Sequence, residues 1–315
     1  KAGVDEFTPV LPVVVNLRNP ALQQRHWDQI NDLVGFNIKE DENFTLGDVV
    51  SKGVSAHAEE ITTISTNATQ EGVLEEMMAK VSKTWEAYEF EVKPYKDVKD
   101  LYILGDVSEI IANLDECLVT VNTVLGSRYV AGIRDFVEKW RRDLILFQET
   151  LDEWLMVMRA WMYLETIFSS PDIVRQLPAA AKMFQAIDKS WKNIMKQTND
   201  DPLALKACCV KDRKETLQSH NAGLDKIQKS LEEYLETKRG AFPRFYFLSN
   251  DELLEILSQA QDPQAVQPHL RKCFEALVKL QFGDEPGSVD LIAMYSPEGE
   301  RIELGKNLRA RGGVE

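Results

Sequence analysis

The sequence contains no G-x-x-x-x-G-K-[ST] loop, no C-x-x-C pair and no uncharged apolar run long enough to span a bilayer. A nucleotide-hydrolysing site needs backbone amides around phosphates with a lysine at the end of the loop. The nearest glycine cluster, Gly126 to Gly132, lacks that lysine and reads as a helix entry with a loose glycine. The four cysteines, Cys117, Cys208, Cys209 and Cys273, read as reduced, intracellular thiols, and the neighbours Cys208 and Cys209 do not easily bridge each other. The four histidines, His26, His57, His220 and His269, are scattered, and no two sit at metal-ligand spacing with a Cys or carboxylate partner. His26 reads as a packed or helix-bonded imidazole. Positive charge is scarce: 37 Lys and Arg against 51 Asp and Glu leave a formal charge of −14. Phosphate-backbone binding needs clustered cations, so nucleic acid is not expected as a partner; with no spanning apolar run, neither is a membrane. The carboxylate pairs Glu59-Glu60, Glu75-Glu76 and Glu232-Glu233 read as solvated helix faces rather than acid/base pairs. No catalytic constellation, metal or cofactor is expected. The chain opens on Lys1 without a signal-peptide pattern and reads as a piece of a longer polypeptide.

What the sequence does contain is helical periodicity. Its 315 residues, 44% hydrophobic, suffice for one large or two ordinary domains. Asn19-Pro20 reads as a cap and first-turn proline opening a helix that stops near Gly35. Thr45 with Asp48 opens another helical stretch, interrupted near Gly53 and running toward Tyr88. The period then changes. Phe90, Val92 and Leu101 to Leu104 around Pro94 predict a short two-stranded excursion. The strongest seam follows: Ile133, Val137, Trp140, Leu144, Phe147, Leu151, Trp154, Met158 and Trp161 alternate steps of four and three. Taken over 127–168 it predicts a helix roughly 60 Å long at about 1.5 Å per residue, with its tryptophans as core. Seams at Ile110 to Leu125 and Met183 to Met195 are its natural bundle partners. Ser170-Pro171, Leu177-Pro178, Asp201-Pro202 and Asp262-Pro263 punctuate joints or helix starts. Val289 to Tyr295 and Arg301 to Leu304 flank a turn at Gly299 and predict a hairpin. The last fifteen residues read as a flexible end. No fixed repeat appears, so the expected fold is mainly α: an elongated, irregular array of spectrin-like helical bundles with one or two short β-hairpins.

Between Lys238 and Leu257 the chain reads KRGAFPRFYFLSNDELLEIL. A stripe of Leu217, His220, Leu224, Ile227, Leu231 and Tyr234 precedes it, and Ser249 with Glu252 forms a capping box for a new helix. Phe242, Phe245, Tyr246 and Phe247, clustered around Pro243, are expected to wedge one helical unit against the next; docking on another protein is the alternative.

This arrangement, followed by PQAVQPHLRKCFEAL, resembles the linker region of dynein heavy chains. LRNPALQQRHWDQI at Leu17 to Ile30, centred on Arg25, His26 and Trp27, is similar to the family's N-terminal linker signature. WMYLETIFSSPDIVRQLPAAAKMFQAIDKSWKNIM from Trp161 to Met195, with Pro171 and Asp172, resembles a second, and MYSPEGERIEL from Met294 to Leu304 a third. The wording of the first block is closer to axonemal than to cytoplasmic heavy chains. The resemblance implies one linker region over 1–315, with approximate sub-modules 1–104, 105–200, 201–283 and 284–315. It also implies a mechanical lever that joins the tail to the AAA+ ring of the same heavy chain and moves with the ATPase cycle along microtubules. No catalysis is expected of this piece. Its implied location is cytoplasmic or in the ciliary or flagellar axoneme. Candidate hinge residues are Ser169, Ser170, Pro178, Asp201 and Pro202, within the joints 169–178 and 198–202. The competing reading is a static helical scaffold for axonemal or cytoskeletal partners.

Overall fold

The computed structural model describes residues 10–38, 45–96, 98–259, 262–283 and 288–310. Among them are twelve α-helices and two small antiparallel sheets: α1 (Leu11–Leu17), α2 (Gln24–Val34), α3 (Leu46–Ser51), α4 (Ala58–Ala87), β1 (Val92–Pro94), β2 (Tyr102–Leu104), α5 (Ser108–Leu125), α6 (Arg134–Phe168), α7 (Pro171–Gln176), α8 (Pro178–Asp200), α9 (Ala204–Cys208), α10 (Arg213–Ala241), α11 (Asn250–Ser258), α12 (Leu270–Cys273), β3 (Lys279–Phe282), β4 (Asp290–Tyr295) and β5 (Arg301–Arg309). The fold is mainly α, as the periodicity requires. The described residues fall into two compact units, one drawn from 1–91, 105–149 and 201–210, the other from 92–104, 150–200 and 211–315.

In the first unit, α4 is the central helix, with α1, α2, α5 and α9 packed on it. Its buried positions, Ile61, Ser65, Ala68, Glu71, Met78, Val81 and Trp85, recur at helical spacing but include a hydroxyl and a carboxylate. At its N-terminal end Val13, Ile30, Val49, Val54 and Ile61 form one apolar cluster. Near its C-terminal end Trp85 meets Phe147 edge-on at 4.8 Å, and Phe147 stacks on Phe90. The Thr45–Asp48 capping box, the stop at Gly35 (φ 82°) and the break at Gly53 (φ 69°) all form as local chemistry dictates.

Two starts differ from expectation. Helix α2 begins at Gln24, not at Pro20, because the Asn19 side chain folds its own backbone into a turn: Oδ1 accepts the Ala21 N–H at 3.0 Å. Pro202 does not open a helix either. Residues 88–90 and 202–204 run extended and antiparallel, with the Phe90 N–H on the Pro202 carbonyl at 2.8 Å and the Ala204 N–H on that of Tyr88 at 2.9 Å.

In the second unit, α8 packs along α10 and against β2. The β1–β2 hairpin pairs Val92 with Leu104 and Pro94 with Tyr102, as the change of period predicts. Helix α6, whose residues up to 149 belong to the first unit, starts at Arg134 rather than 127, after a turn in which Ser127 Oγ accepts the Tyr129 N–H. Its seam is buried at Val137, Leu144, Phe147, Leu151, Trp154, Val157 and Trp161, whereas Trp140 and Met158 are half-buried. Trp161 is wholly buried, stacked on Trp191 at 5.5 Å and tilted against Tyr95 at 5.3 Å, and its indole N–H donates to Asp188 at 3.0 Å.

The C-terminal sheet has the order β3-β4-β5, antiparallel throughout, with Gly299 (φ 88°) in the turn before β5. The hairpin is where expected, but β3 adds a third strand. Arg301–Leu304, the expected second arm, opens strand β5, but the strand runs on to Arg309 through residues that read as a flexible end; residues 311–315 lie outside the described residues. The strand forms because Arg301 and Leu308 pair with Tyr295 and Leu291, supplying cross-strand partners that a composition rich in Gly, Lys and Arg conceals.

Candidate functional site

The first family-like block converges on one face of α4. Asn19 Nδ2 donates to Ser65 Oγ and its carbonyl at 2.9 Å and to Thr69 Oγ1 at 2.8 Å. One helical turn further along, Arg25 places Nε and Nη2 on Glu71 Oε2 at 2.9 and 2.7 Å, and Nη2 on Glu75 Oε1 at 2.8 Å. Gln23 Nε2 donates to the other Glu75 oxygen. Burial lowers the affinity of Arg25 for its proton, but the bonds to Glu75 and Glu71 outweigh it and its pKa rises.

His26 closes this network. Its Nδ1 accepts the Gln23 backbone N–H at 3.1 Å, and its Nε2 lies 3.1 Å from Glu71 Oε2. The accepting role of Nδ1 leaves the proton of the neutral imidazole on Nε2, directed at the carboxylate. At position N3 of α2, His26 therefore performs the task a Glu or Gln performs in a capping box. Trp27 lies apart from these polar bonds, half-buried against the Val13–Ile61 cluster. Replacement His26→Ala should cost about 1–3 kcal/mol, combining cap and buried-acceptor losses, whereas His26→Gln, which keeps an acceptor at N3, should cost less than half of that. Urea melts of the two variants decide it: equal losses would remove the capping role.

Sequence reading missed both carboxylates that hold this block. Glu75 was assigned to a solvated face, and it is instead bonded to Arg25 and Gln23. Glu71 was not singled out, although a carboxylate on the Ile61–Ala68–Met78 stripe was the available signal. Gly132 belongs to the cluster expected to be a helix entry with a loose glycine. A Cβ there would lie 2.7 Å from Arg25 Nε and 2.8 Å from Glu71 Oε2, so any side chain at this position would have to push the ion pair aside.

The remaining signature residues belong to the second unit. Pro171 is the first residue of α7, and Asp172 pairs with Arg175. Residues Pro243–Phe247 form a 3₁₀ turn in which Phe245 alone is buried. Phe242, Tyr246 and Phe247 are 39, 59 and 68% exposed, so the wedge is one ring, not four. A turn with three residues per revolution points adjacent side chains in different directions, so only one of these rings faces inward. Phe242 lies edge-on to Phe245 at 4.9 Å, and the Tyr246 hydroxyl donates to Glu236. The Ser249–Glu252 capping box forms, and Lys272 with Ser249 holds the Glu252 carboxyl down at about 2.

Of the hinge candidates, Ser169 Oγ donates to the Thr166 carbonyl at 2.7 Å and Ser170 Oγ to that of Ser258 at 3.2 Å, while Pro178 opens α8. Asp201 pairs with Lys206, and the Pro202 carbonyl accepts from Phe90. The thiols of Cys117, Cys208 and Cys273 are buried and that of Cys209 half-buried; burial pushes Cys209 up to about 11. Among the described residues no three His, Cys, Asp or Glu converge as metal ligands, and no helix is long and apolar enough to cross a membrane.

With this geometry in view, comparison with known proteins is unambiguous. A family model described as dynein heavy chain, N-terminal region 2, matches residues 1–315. The chain is 48% identical to human dynein axonemal heavy chain 6, over all of this chain and 8% of that protein. It is 40% identical to mouse dynein axonemal heavy chain 1, over all of this chain and 7% of the relative. It is 43% identical to rat dynein axonemal heavy chain 12, over 93% of this chain and 10% of the relative. The chain thus spans a tenth or less of the length of these relatives.

Proposed function

Because the chain belongs to the dynein heavy chains, matching their N-terminal region 2 along its whole length, we propose that it is a mechanical linker of an axonemal motor. In this reading it joins the tail to the AAA+ ring of the same polypeptide and changes conformation as nucleotide turns over in that ring. The chemistry is assigned to the ring modules, and this piece transmits force. Its partners are the ring and the tail, and its location is the axoneme of a cilium or flagellum. The observation carrying the proposal is the full-length family match. Support comes from the architecture: long helices with buried tryptophan seams resist bending, while breaks within residues 169–178 and after Asp200 interrupt the helical hydrogen-bond ladder.

The joint at Ser170 gives a direct test in the complete heavy chain. Cysteines introduced by Ser170→Cys and Ser258→Cys, bridged by a short reducible cross-linker, should slow microtubule gliding severalfold while ATP hydrolysis persists, with recovery on reduction. Unchanged gliding with the bridge demonstrably in place would move the hinge elsewhere. Fluorescence energy transfer between this region and the ring separates the lever from the static scaffold. The lever requires a change between nucleotide states; a constant signal favours the scaffold.

A further inference from the structure

A cleft of about 380 Å³ opens on the second unit where α6, α7 and α11 meet. Ile167, Ile173 and Leu254 line its apolar part, and Tyr163, Asp251 and Glu255 its polar part. Ile173 and Leu254 are buried, so the floor is fixed by the fold. Asp251 and Glu255 are four residues apart on α11 and therefore lie one above the other on the same helix face. Both are exposed. The Tyr163 phenol and the Asp251 carboxylate line the same rim, burial and that carboxylate pushing the phenol's pKa up, while Glu255 has His269 Nε2 at 3.3 Å. The described lining residues include neither lysine nor arginine.

The volume lies within the range of sites that hold a ligand or a few side chains. An apolar floor favours a branched or aromatic anchor, and two stacked carboxylates favour a cation beside it. A guanidinium or ammonium on an aliphatic stem supplies both, the stem lying on the floor and the charged head reaching the rim. Charge decides against other occupants. An acidic peptide, an anionic lipid surface and a second copy of this chain, itself at −14, are all repelled by the same rim.

We infer that this cleft is a docking site for a basic amphipathic segment of a partner protein, which seats an apolar anchor on Ile167, Ile173 and Leu254 and presents arginine or lysine to Asp251 and Glu255. An occupant there bridges α6, α7 and α11 beside Ser170, whose hydroxyl already ties the α6–α7 joint to α11. The inference uses the geometry of one unit and stands whether or not the chain works as a lever.

The test is methyl NMR on the whole 315-residue chain, labelled at isoleucine and leucine, with 4-phenylbutylguanidinium as the probe. Saturable shifts should appear at Ile167, Ile173 and Leu254. The doubly substituted Asp251→Asn, Glu255→Gln chain, altered only at exposed side chains, should melt like the parent and bind about tenfold more weakly. The anionic 4-phenylbutyrate should leave the spectrum unchanged where the cation saturates it, and a leucine- and arginine-rich amphipathic peptide should displace the cation. Absent shifts, equal binding of neutral 4-phenylbutanol, or failure of the peptide to compete would each overturn the assignment.

Discussion

Trp161→Ala is expected to remove about 3–5 kcal/mol of stability, the range for deleting a large ring from a close-packed interior. Three separate interactions end together. Trp161 stacks on Trp191 from α8, contacts Tyr95 at the start of the loop between β1 and β2, and donates its indole N–H to Asp188. The ring is wholly buried, so its loss leaves a void that neighbours fixed on two helices and a hairpin fill only in part. Asp188 keeps Lys192 at 2.7 Å but loses its buried donor. Such a loss is a large part of the 5–15 kcal/mol that holds a typical domain together. Hydrogen exchange should report it unevenly: amides of β2, which packs on α8, should lose protection most. A denaturation midpoint shift worth less than about 1 kcal/mol would show that the ring is peripheral.

Glu71→Leu is expected to cost about 2–4 kcal/mol, because it leaves Arg25 and His26 without the acceptor they share. The glutamate side chain is 12% exposed and that of Arg25 31%, so solvent compensates only a fraction. The double substitution Arg25→Met, Glu71→Leu should recover part of the loss, since Arg25, left with Glu75 alone in the single variant, is then removed together with its missing partner. Urea unfolding of parent, single and double variants closes this cycle. If the double variant were as unstable as the sum of the two singles, the network would contribute by shape rather than by charge.

Local chemistry was legible in the sequence. Thr45 with Asp48, Ser249 with Glu252, Gly35 and Gly299 act within a few residues of themselves, and each does what its type dictates. The α6 seam was legible because seven buried positions share one period. What was hidden depends on distant partners. Nothing near Arg25 announces that Glu71 and Glu75 lie opposite it, 46 and 50 residues along the chain. Strand β3 was hidden for a similar reason. The Gln267 side-chain amide brackets Leu280, accepting its N–H and donating to its carbonyl, so part of the strand's outer edge is completed by a side chain. Asn19-Pro20 misled because Asn serves a turn as readily as a helix cap, and the Ser65 and Thr69 hydroxyls that fix the choice come from α4.

A stripe of methyl groups can slide past another by one turn, about 5.4 Å, at modest cost, because one methyl contact replaces the next. The stripe on α4 that receives residues 19–26 does not permit this exchange. Slid by a turn, Asn19 would face Ile61 and Ser65 in one direction, or Thr69 and Val73 in the other, and would lose one of its hydroxyl partners either way. The seam behaves as a key in a shaft: axial load along α4 meets a set of donors and acceptors with one matching position, and slip requires breaking all of them at once.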